Sequence, residues 1–365
     1  MKKIKRSANV MICLLALPCL FNYAAASVAV DFYAKQPAVI HSSVQRQFPV
    51  DDCWAFEITG LMEGGALRQG HQVELSPEYL DLYWIYTQIY NNFKTGNANF
   101  VPDEGFEGSA GLNTVKKFGA VPKKLFSYTP VTLDDDTNLM NRIQAFVNQT
   151  MSDPKQIAQY ESVDENGINE KLLSDFSNVV GVHLPKPDEV FKFNGKAYTP
   201  KSFVSRYLKF KPDDFVLFTP QSSEIQSSMN LIRQALKSGT QVGIGFTLFQ
   251  DAIPSDPSTN IFEMVSKTGI FSSDLCPNQH CATVRGGHVV LAVNWLEDAN
   301  ANVNAIIIKN SWGTQFGRDD RGSLTNDPTK KGFFIIENGY LFNGVPEFVI
   351  PKKFIPKLNN EDKTY

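Results

Sequence analysis

The sequence predicts an α+β fold in two subdomains, and three observations lead to this prediction. The chain has 365 residues, of which 42% are hydrophobic and 20% charged, which is the composition of a globular protein with room for two subdomains. Residues up to Gly239 show mainly helical periodicity. Residues after Gly239 contain short β-branched runs separated by Gly, Asn and Asp. A helical part followed by a strand-rich part leaves a seam, where substrates commonly bind.

The first 26 residues have the pattern of a secretory signal peptide. Four basic residues precede an apolar run from Val10 to Tyr23, and alanines at 24, 25 and 26 follow that run. The run is short for a membrane anchor, and the small residues favour cleavage after Ala26. We therefore expect a secreted or periplasmic protein with no integral membrane segment once residues 1–26 are removed.

Removal of this segment changes the charge and the cysteine count. It carries four basic residues and no acidic ones, so the formal net charge moves from −3 to −7, and no basic stripe suggests a nucleic-acid partner. Three of the five cysteines remain. Cys276 and Cys281 can close a small disulfide loop, which leaves Cys53 as an odd thiol that is either reactive or bridged to another chain.

The helical part contains several amphipathic segments. One helix is predicted to begin at Cys53, and a second to run from Pro77 to Phe93. A glycine-rich stretch then leads into a helix that ends at Gly119. Further amphipathic stretches fill residues 131–240, and four strands are predicted at "QVGIGFTLF", "HVVLAVNW", "NAIIIKN" and "GFFIIEN".

Cys53 has the sequence setting of a nucleophile. It is predicted at the first turn of a helix, where the partial positive charge of the helix N-terminus lowers the pKa of a thiol. A cysteine nucleophile also needs a base, and His288 stands out because it follows two glycines and precedes a buried strand pattern. Asn310 ends another strand and can orient an imidazole, and Trp312 can shield that contact from water.

These elements together resemble the papain family of cysteine peptidases. Gln47 stands six residues before "CWAF", His288 lies in a Gly-His pair before a strand, and "NSWG" begins at Asn310, all in the family's order. The insertion sequence "YTPKSFVSRYLKFKPDDFVLF" is similar to the bleomycin hydrolase and bacterial aminopeptidase branch. The resemblance implies a papain-like fold with a helical half, a β-barrel-like half and an active-site cleft between them.

The resemblance also implies a role for each matched residue. Cys53 and His288 would form a thiolate–imidazolium pair, with Cys53 as the nucleophile that forms an acyl-enzyme and His288 as the general base and then acid. Asn310 would orient the imidazole. Gln47 and the Cys53 backbone N–H would form the oxyanion hole. Two further residues would complete the site, because Gly108 would bind substrate backbone and Trp312 would cover the His–Asn contact.

The implied organisation has four parts. Residues 1–26 form the signal, 27–128 the helical subdomain with the nucleophile, 129–225 a mostly helical insertion, and 226–365 the strand-rich subdomain. The expected partner is a peptide or protein substrate, and the resemblance implies no metal and no cofactor. Oligomeric state and the choice between endopeptidase and aminopeptidase stay open.

Some residues depart from the family pattern. Asp51 and Asp52 replace the usual Gly-Ser before the nucleophile, Val50 replaces a cysteine that forms a disulfide, and no large inhibitory propeptide is recognisable. Aspartates that point inward raise the thiol pKa, but we expect them to be exposed and screened, with a small effect. Activity without a propeptide would need another form of control.

Three alternative functions share parts of this pattern. Cys276, His280, Cys281 and His288 offer thiolate and imidazole ligands for zinc, although their spacing fits structural zinc sites poorly. A catalytically inactive papain-like protein would serve in adhesion or binding. A transglutaminase or amidase would use the same kind of nucleophile.

Overall fold

The computed structural model describes residues 34–47, 51–97, 100–105, 108–126, 128, 133–253 and 255–355. The predicted signal at 1–26 and residue Val50 lie outside these ranges. Within them, no helix combines the length and the apolar character needed to cross a bilayer.

The first part of the chain is helical, as predicted. Its helices are α1 (Cys53–Leu67), α2 (Pro77–Thr95), α3 (Gly108–Phe118), α4 (Leu133–Met151), α5 (Pro154–Ala158), α6 (Glu170–Val180) and α7 (Pro200–Ser202), which continues as a π-helix over Phe203–Tyr207. Local signals set several ends. The Ser76 side chain accepts from the Tyr79 N–H at the start of α2, and Gly96 ends that helix in the left-handed conformation with φ 69°.

Strands dominate the second part, which also contains three helices. These helices are α8 (Ile225–Lys237), α9 (Ile261–Thr268) and α10 (Asn338–Leu341). The strands of the whole chain are β1 (Phe191–Phe193), β2 (Lys196–Tyr198), β3 (Phe215–Phe218), β4 (Val242–Phe249), β5 (Ala252–Ile253), β6 (Asp256–Asn260), β7 (Ile270–Phe271), β8 (Val284–Glu297), β9 (Val303–Lys309), β10 (Phe333–Glu337) and β11 (Glu347–Pro351).

The largest sheet among the described residues has seven strands. Its order is β3-β11-β4-β8-β9-β10-β7, and all neighbours pair antiparallel except β10 and β7. The long central strand β8 pairs with β4 on one side and β9 on the other. The four strands predicted from sequence are β4, β8, β9 and β10, so the α+β class is confirmed.

Two large apolar cores lie against β8, one on each face. Val289 and Leu291 join the core formed with α1, α2 and α3, whereas Val290 and Ala292 join the core formed with α8 and the other strands. Helix α1 packs directly on β8, and Gly60 permits this approach because a Cβ there would crowd the Leu291 side chain. The start of α1 is therefore held beside the middle of the sheet.

The range predicted as an insertion shares its core with the helical subdomain. Buried residues of α4 and α6 belong to the same apolar cluster as α1 and α2. The range is less purely helical than its periodicity indicates, because β1 and β2 form a hairpin and β3 pairs with β11 at the sheet edge. Asn194 and Gly195 turn that hairpin with φ 49° and 76°, which is the Asn-Gly signature of a tight β-turn.

Candidate active site

Cys53 is the first residue of α1, and its thiol is half-buried and not in a disulfide. Backbone N–H groups of Val289 and Trp54 hydrogen-bond to its sulfur. Val289 directly follows His288 in β8, so the packing of α1 on the sheet places the sulfur against the strand that carries the predicted base. Helix and sheet each contribute one member of the predicted pair.

His288 lies inside β8, opposite Phe246 of β4, because the strand begins at Val284, four residues before the run predicted from the sequence. It is 4% exposed, and its Nε2 lies 2.8 Å from Asn310 Oδ1. The Ser311 backbone N–H also donates to that Oδ1 across 2.7 Å, which identifies the atom as the amide oxygen. Nε2 therefore carries a proton toward Asn310, and Nδ1 is the nitrogen that can accept one from a thiol.

Trp312 covers the imidazole as the sequence predicts. Its ring stacks on His288 with centroids 5.0 Å apart and an interplanar angle of 21°. The edge of Phe246 closes another side, with its centroid 5.8 Å from that of the imidazole. This aromatic wall keeps water away from the bond between His288 and Asn310.

The segment containing Gln47 is fixed beside Asn310. The Gln47 N–H donates to the Ser311 carbonyl across 2.8 Å, and the Ser311 hydroxyl donates to the Gln47 side-chain oxygen. Arg46 and Trp312 form a β-bridge next to these contacts. Since these contacts orient the Gln47 amide, its nitrogen end is the part that would serve as an oxyanion donor.

Burial controls the ionisation of the pair. It raises the pKa of Cys53 to about 12, the hydrogen bond from Val289 opposes this, and Asp52 and Asp51 raise it further. Burial also lowers the pKa of His288 to about 4, against the effect of Asn310. Burial thus favours a neutral thiol and imidazole over a thiolate–imidazolium pair, and it opposes the lowering of the thiol pKa that the helix N-terminus predicts.

The expectation of screened aspartates is wrong for one of the two. Asp52 is 1% exposed and faces a group of buried acids from other elements: Glu78, Asp81, Glu104 and Asp136. Burial, followed by mutual repulsion, raises the pKa of Asp81 and of Glu104 well above the usual values. The sequence signal for this group is an acidic residue on the apolar face of a helix, as Asp81 is on α2.

Gly108 begins α3, which packs against α1. Residues 106 and 107 lie outside the described ranges, so the glycine-rich approach to α3 is described only in part. The placement puts the backbone of Gly108 on the helical side of the molecule. Its predicted contact with substrate stays a prediction.

Cys276 and Cys281 are joined by a disulfide. The bond takes both thiols of the zinc alternative, and His288 is engaged by Asn310. In the part of the chain that the structure describes, no group of three or more His, Cys, Asp or Glu side chains is arranged to hold a metal ion. The zinc alternative therefore has no support in the geometry.

Two contributors to the site were not predicted from sequence. Ser311 ties Gln47 to Asn310, and the Val289 N–H contacts the sulfur. Ser311 lies within the "NSWG" motif, so the sequence already indicates that it stands next to Asn310. The contact from Val289 depends on how α1 meets β8, and no sequence pattern encodes it.

Comparison with known proteins gives matches in both sequence and fold. A model described as papain family cysteine protease matches residues 247–326, a range that contains His288, Asn310 and Trp312. An uncharacterised peptidase C1-like protein of Acanthamoeba polyphaga mimivirus is 31% identical over 114 residues. That alignment spans 31% of this chain and 30% of the viral protein.

Solved structures extend the fold comparison to most of the chain. PepW from Lactobacillus rhamnosis has a TM-score of 0.60 at 16% identity, with 89% of this chain and 83% of PepW covered. Xylellain, a cysteine protease from Xylella fastidiosa, has a TM-score of 0.42 at 15% identity, with 87% of each chain covered. The chain therefore has a papain-like α+β fold and is similar in sequence, over residues 247–326, to the papain family of cysteine proteases.

Proposed function

We propose that this protein is a cysteine peptidase in which Cys53 attacks the peptide carbonyl and His288 moves the protons. The observation that carries the proposal is the hydrogen bond from His288 to Asn310, made beside a free thiol that contacts the next residue of the same strand. This arrangement supplies a nucleophile, a base and a group that orients the base. The match of residues 247–326 to the papain family supports the same chemistry.

The first half of the reaction forms an acyl-enzyme. Because burial keeps both groups neutral, the thiol proton passes to His288 Nδ1 as the sulfur attacks the carbonyl carbon. The negative charge on the carbonyl oxygen is stabilised by the Gln47 side-chain amide and the Cys53 backbone N–H, and loss of one such donor costs about 3 kcal/mol. The C–N bond then breaks, and the leaving amine takes the proton from His288.

The second half releases the acid. A water molecule attacks the thioester carbonyl while His288 accepts its proton, and the C–S bond breaks. The sulfur regains the proton, and the product leaves with a new carboxyl group. Asn310 holds the imidazole in one orientation through both halves, so the same nitrogen serves as base and then as acid.

Hydrolysis of a peptide substrate by matched variants tests the proposal. We expect C53A and H288A to lose more than 99% of the activity, and Q47A to lose about a hundredfold in kcat. The control is the variant C276S/C281S, which leaves the site intact. Full activity of C53A in a preparation free of other peptidases would contradict the proposal, and inactivity of the wild type would favour the binding or adhesion alternative.

We also propose that the protein is exported through residues 1–26. An N-terminal sequence beginning at Ser27 in exported protein would support this.

Peptides with free and with blocked N-termini distinguish endopeptidase from aminopeptidase action, because a strict aminopeptidase leaves blocked peptides intact. Transfer of an amine in place of hydrolysis would indicate the transglutaminase alternative.

A further inference from the structure

A small cavity lies against Asn310, one of the proposed catalytic residues. Gln45, Glu57, Lys309, Asn310 and Ser311 line it together with apolar side chains of α1 and β8. Its volume is about 20 Å³, which is room for one water molecule. The residue that orients the proposed base thus lines this cavity.

Three of the residues that line this cavity have buried polar atoms without a partner. Both carboxyl oxygens of Glu57, the side-chain oxygen of Gln45 and the amide nitrogen of Asn310 are buried and have no hydrogen-bond partner among the described residues. Lys309 donates elsewhere, to the Ser42 hydroxyl and to the carbonyls of Ser42 and Ser43. Buried polar atoms nearly always find a partner, so unpartnered atoms on three residues that line one cavity point to a shared one.

Glu57 is built into this position. It is 2% exposed and lies on the face of α1 that meets the sheet. The glycine at 243 in β4 makes room for it, since a Cβ there would overlap the Glu57 carboxyl oxygen. Burial raises the pKa of Glu57 to about 8, so at neutral pH the carboxyl is protonated and offers both a donor and an acceptor.

We propose that one water molecule in this cavity links Glu57 and Gln45 to the Asn310 amide, and that Glu57 is a positioning residue for the His288–Asn310 pair. The water would accept from Asn310 Nδ2 and from the Glu57 hydroxyl, and donate to Gln45 Oε1. Three polar partners are typical of a buried water. The role in catalysis rests on the proposed peptidase function.

With this water, the side-chain amide of Asn310 would be held at both its oxygen and its nitrogen. Asn310 Oδ1 is fixed by His288 and by the Ser311 N–H, and the water would fix Nδ2. An amide anchored only through its oxygen can tilt and carry the imidazole with it. Small errors in the orientation of a catalytic group cost large factors in rate.

A double-mutant cycle on thiol reactivity tests the inference without requiring peptidase activity. Iodoacetamide labelling of Cys53 is measured at pH 7 in the wild type, E57L, N310A and E57L/N310A, with E57Q as the matched polar variant. We expect E57Q within twofold of the wild type and E57L about tenfold slower. We expect the double variant to be no slower than N310A, because both changes act through the same amide.

Three results would overturn the inference: wild-type reactivity in E57L, wild-type reactivity in N310A, or two losses that multiply in the double variant. Circular dichroism checks folding, and E57M replaces E57L if the leucine variant does not fold. If the wild type hydrolyses peptides, E57L should lower kcat and leave KM within twofold. If it hydrolyses none, the peptidase proposal fails, whereas the labelling cycle still decides the role of Glu57.

Discussion

His288 Nε2 donates to Asn310 Oδ1 across 2.8 Å, and the Ser311 N–H donates to the same oxygen across 2.7 Å. The two donors fix which end of the Asn310 amide faces the imidazole. Because Asn310 directly follows β9 and His288 lies within β8, two paired strands of the central sheet hold this contact. The proposed base therefore stands on a rigid support.

We expect the variant N310A to hydrolyse peptides about a hundredfold more slowly than the wild type, because the imidazole loses its orienting partner. The measurement is kcat/KM on one peptide substrate. The control is N302A, which removes an exposed amide in the turn between β8 and β9. Equal losses in the two variants, or no loss in N310A, would argue against the orienting role.

We expect the variant D52N to lower the pKa of the Cys53 thiol. The Asp52 carboxylate lies next to Cys53 and raises its pKa when ionised, whereas an amide in its place carries no charge. The rate of iodoacetamide labelling at pH 9 should rise in D52N, because a lower thiol pKa gives a larger thiolate fraction at that pH. The exposed variant D188N provides the control, and an unchanged rate in D52N would show that the Asp52 charge has no effect on the pKa of the thiol.

We expect the variant E57Q to be more stable than the wild type at neutral pH. The pKa of Glu57 is about 8 in the folded protein and 4.5 without burial, so between these values only the unfolded state ionises. The wild type then loses roughly 1.4 kcal/mol of stability per pH unit as pH rises, or about 3 kcal/mol by pH 7. Glutamine does not ionise and escapes this loss.

Urea unfolding at pH 5 and pH 7 measures the difference between E57Q and the wild type. It should be below about 1 kcal/mol at pH 5 and grow toward neutral pH. A difference that stays constant with pH would mean that Glu57 ionises normally in the fold. An increase in stability together with unchanged thiol labelling is the combination that the positioning role predicts for E57Q.

We expect the double variant C276S/C281S to lose about 2 kcal/mol of stability, since a disulfide across a short loop restricts the unfolded chain only modestly. Its activity per folded molecule should stay within twofold of the wild type, because the disulfide holds none of the proposed catalytic groups. Thermal unfolding and peptide hydrolysis measure the two effects. A large loss of activity at full folding would place this loop in the substrate site.

Local patterns predicted most of the elements that hold the site. Periodicity, together with residues that start or stop helices and strands, predicts three of these elements. They are the strand that ends before Asn310, the strand containing His288 and the helix beginning at Cys53. The stacking of Trp312 on His288 was also predicted from the motif. These features depend on neighbours along the chain, so the sequence contains the information directly.

Features that depend on distant parts of the chain were not predictable in the same way. Asp52 was expected at the surface, but α2, α4 and the segment at Glu104 bury it among other acids. Burial is also the largest cause of the raised pKa of Cys53, and the sequence indicates only the smaller contribution of the neighbouring Asp52 and Asp51. Short strands such as β3 and β11 also escaped prediction, because pairing with a distant strand decides whether they form.

Mapping the site of covalent labelling shows whether Cys53 is a nucleophile that depends on His288. The protein is treated with an epoxysuccinyl inhibitor, digested and analysed by mass spectrometry, beside the variant H288A. We expect one adduct, on Cys53, formed at least a hundredfold faster in the wild type than in H288A. An adduct elsewhere, or labelling of Cys53 at the same rate in both proteins, would contradict a nucleophile that depends on His288.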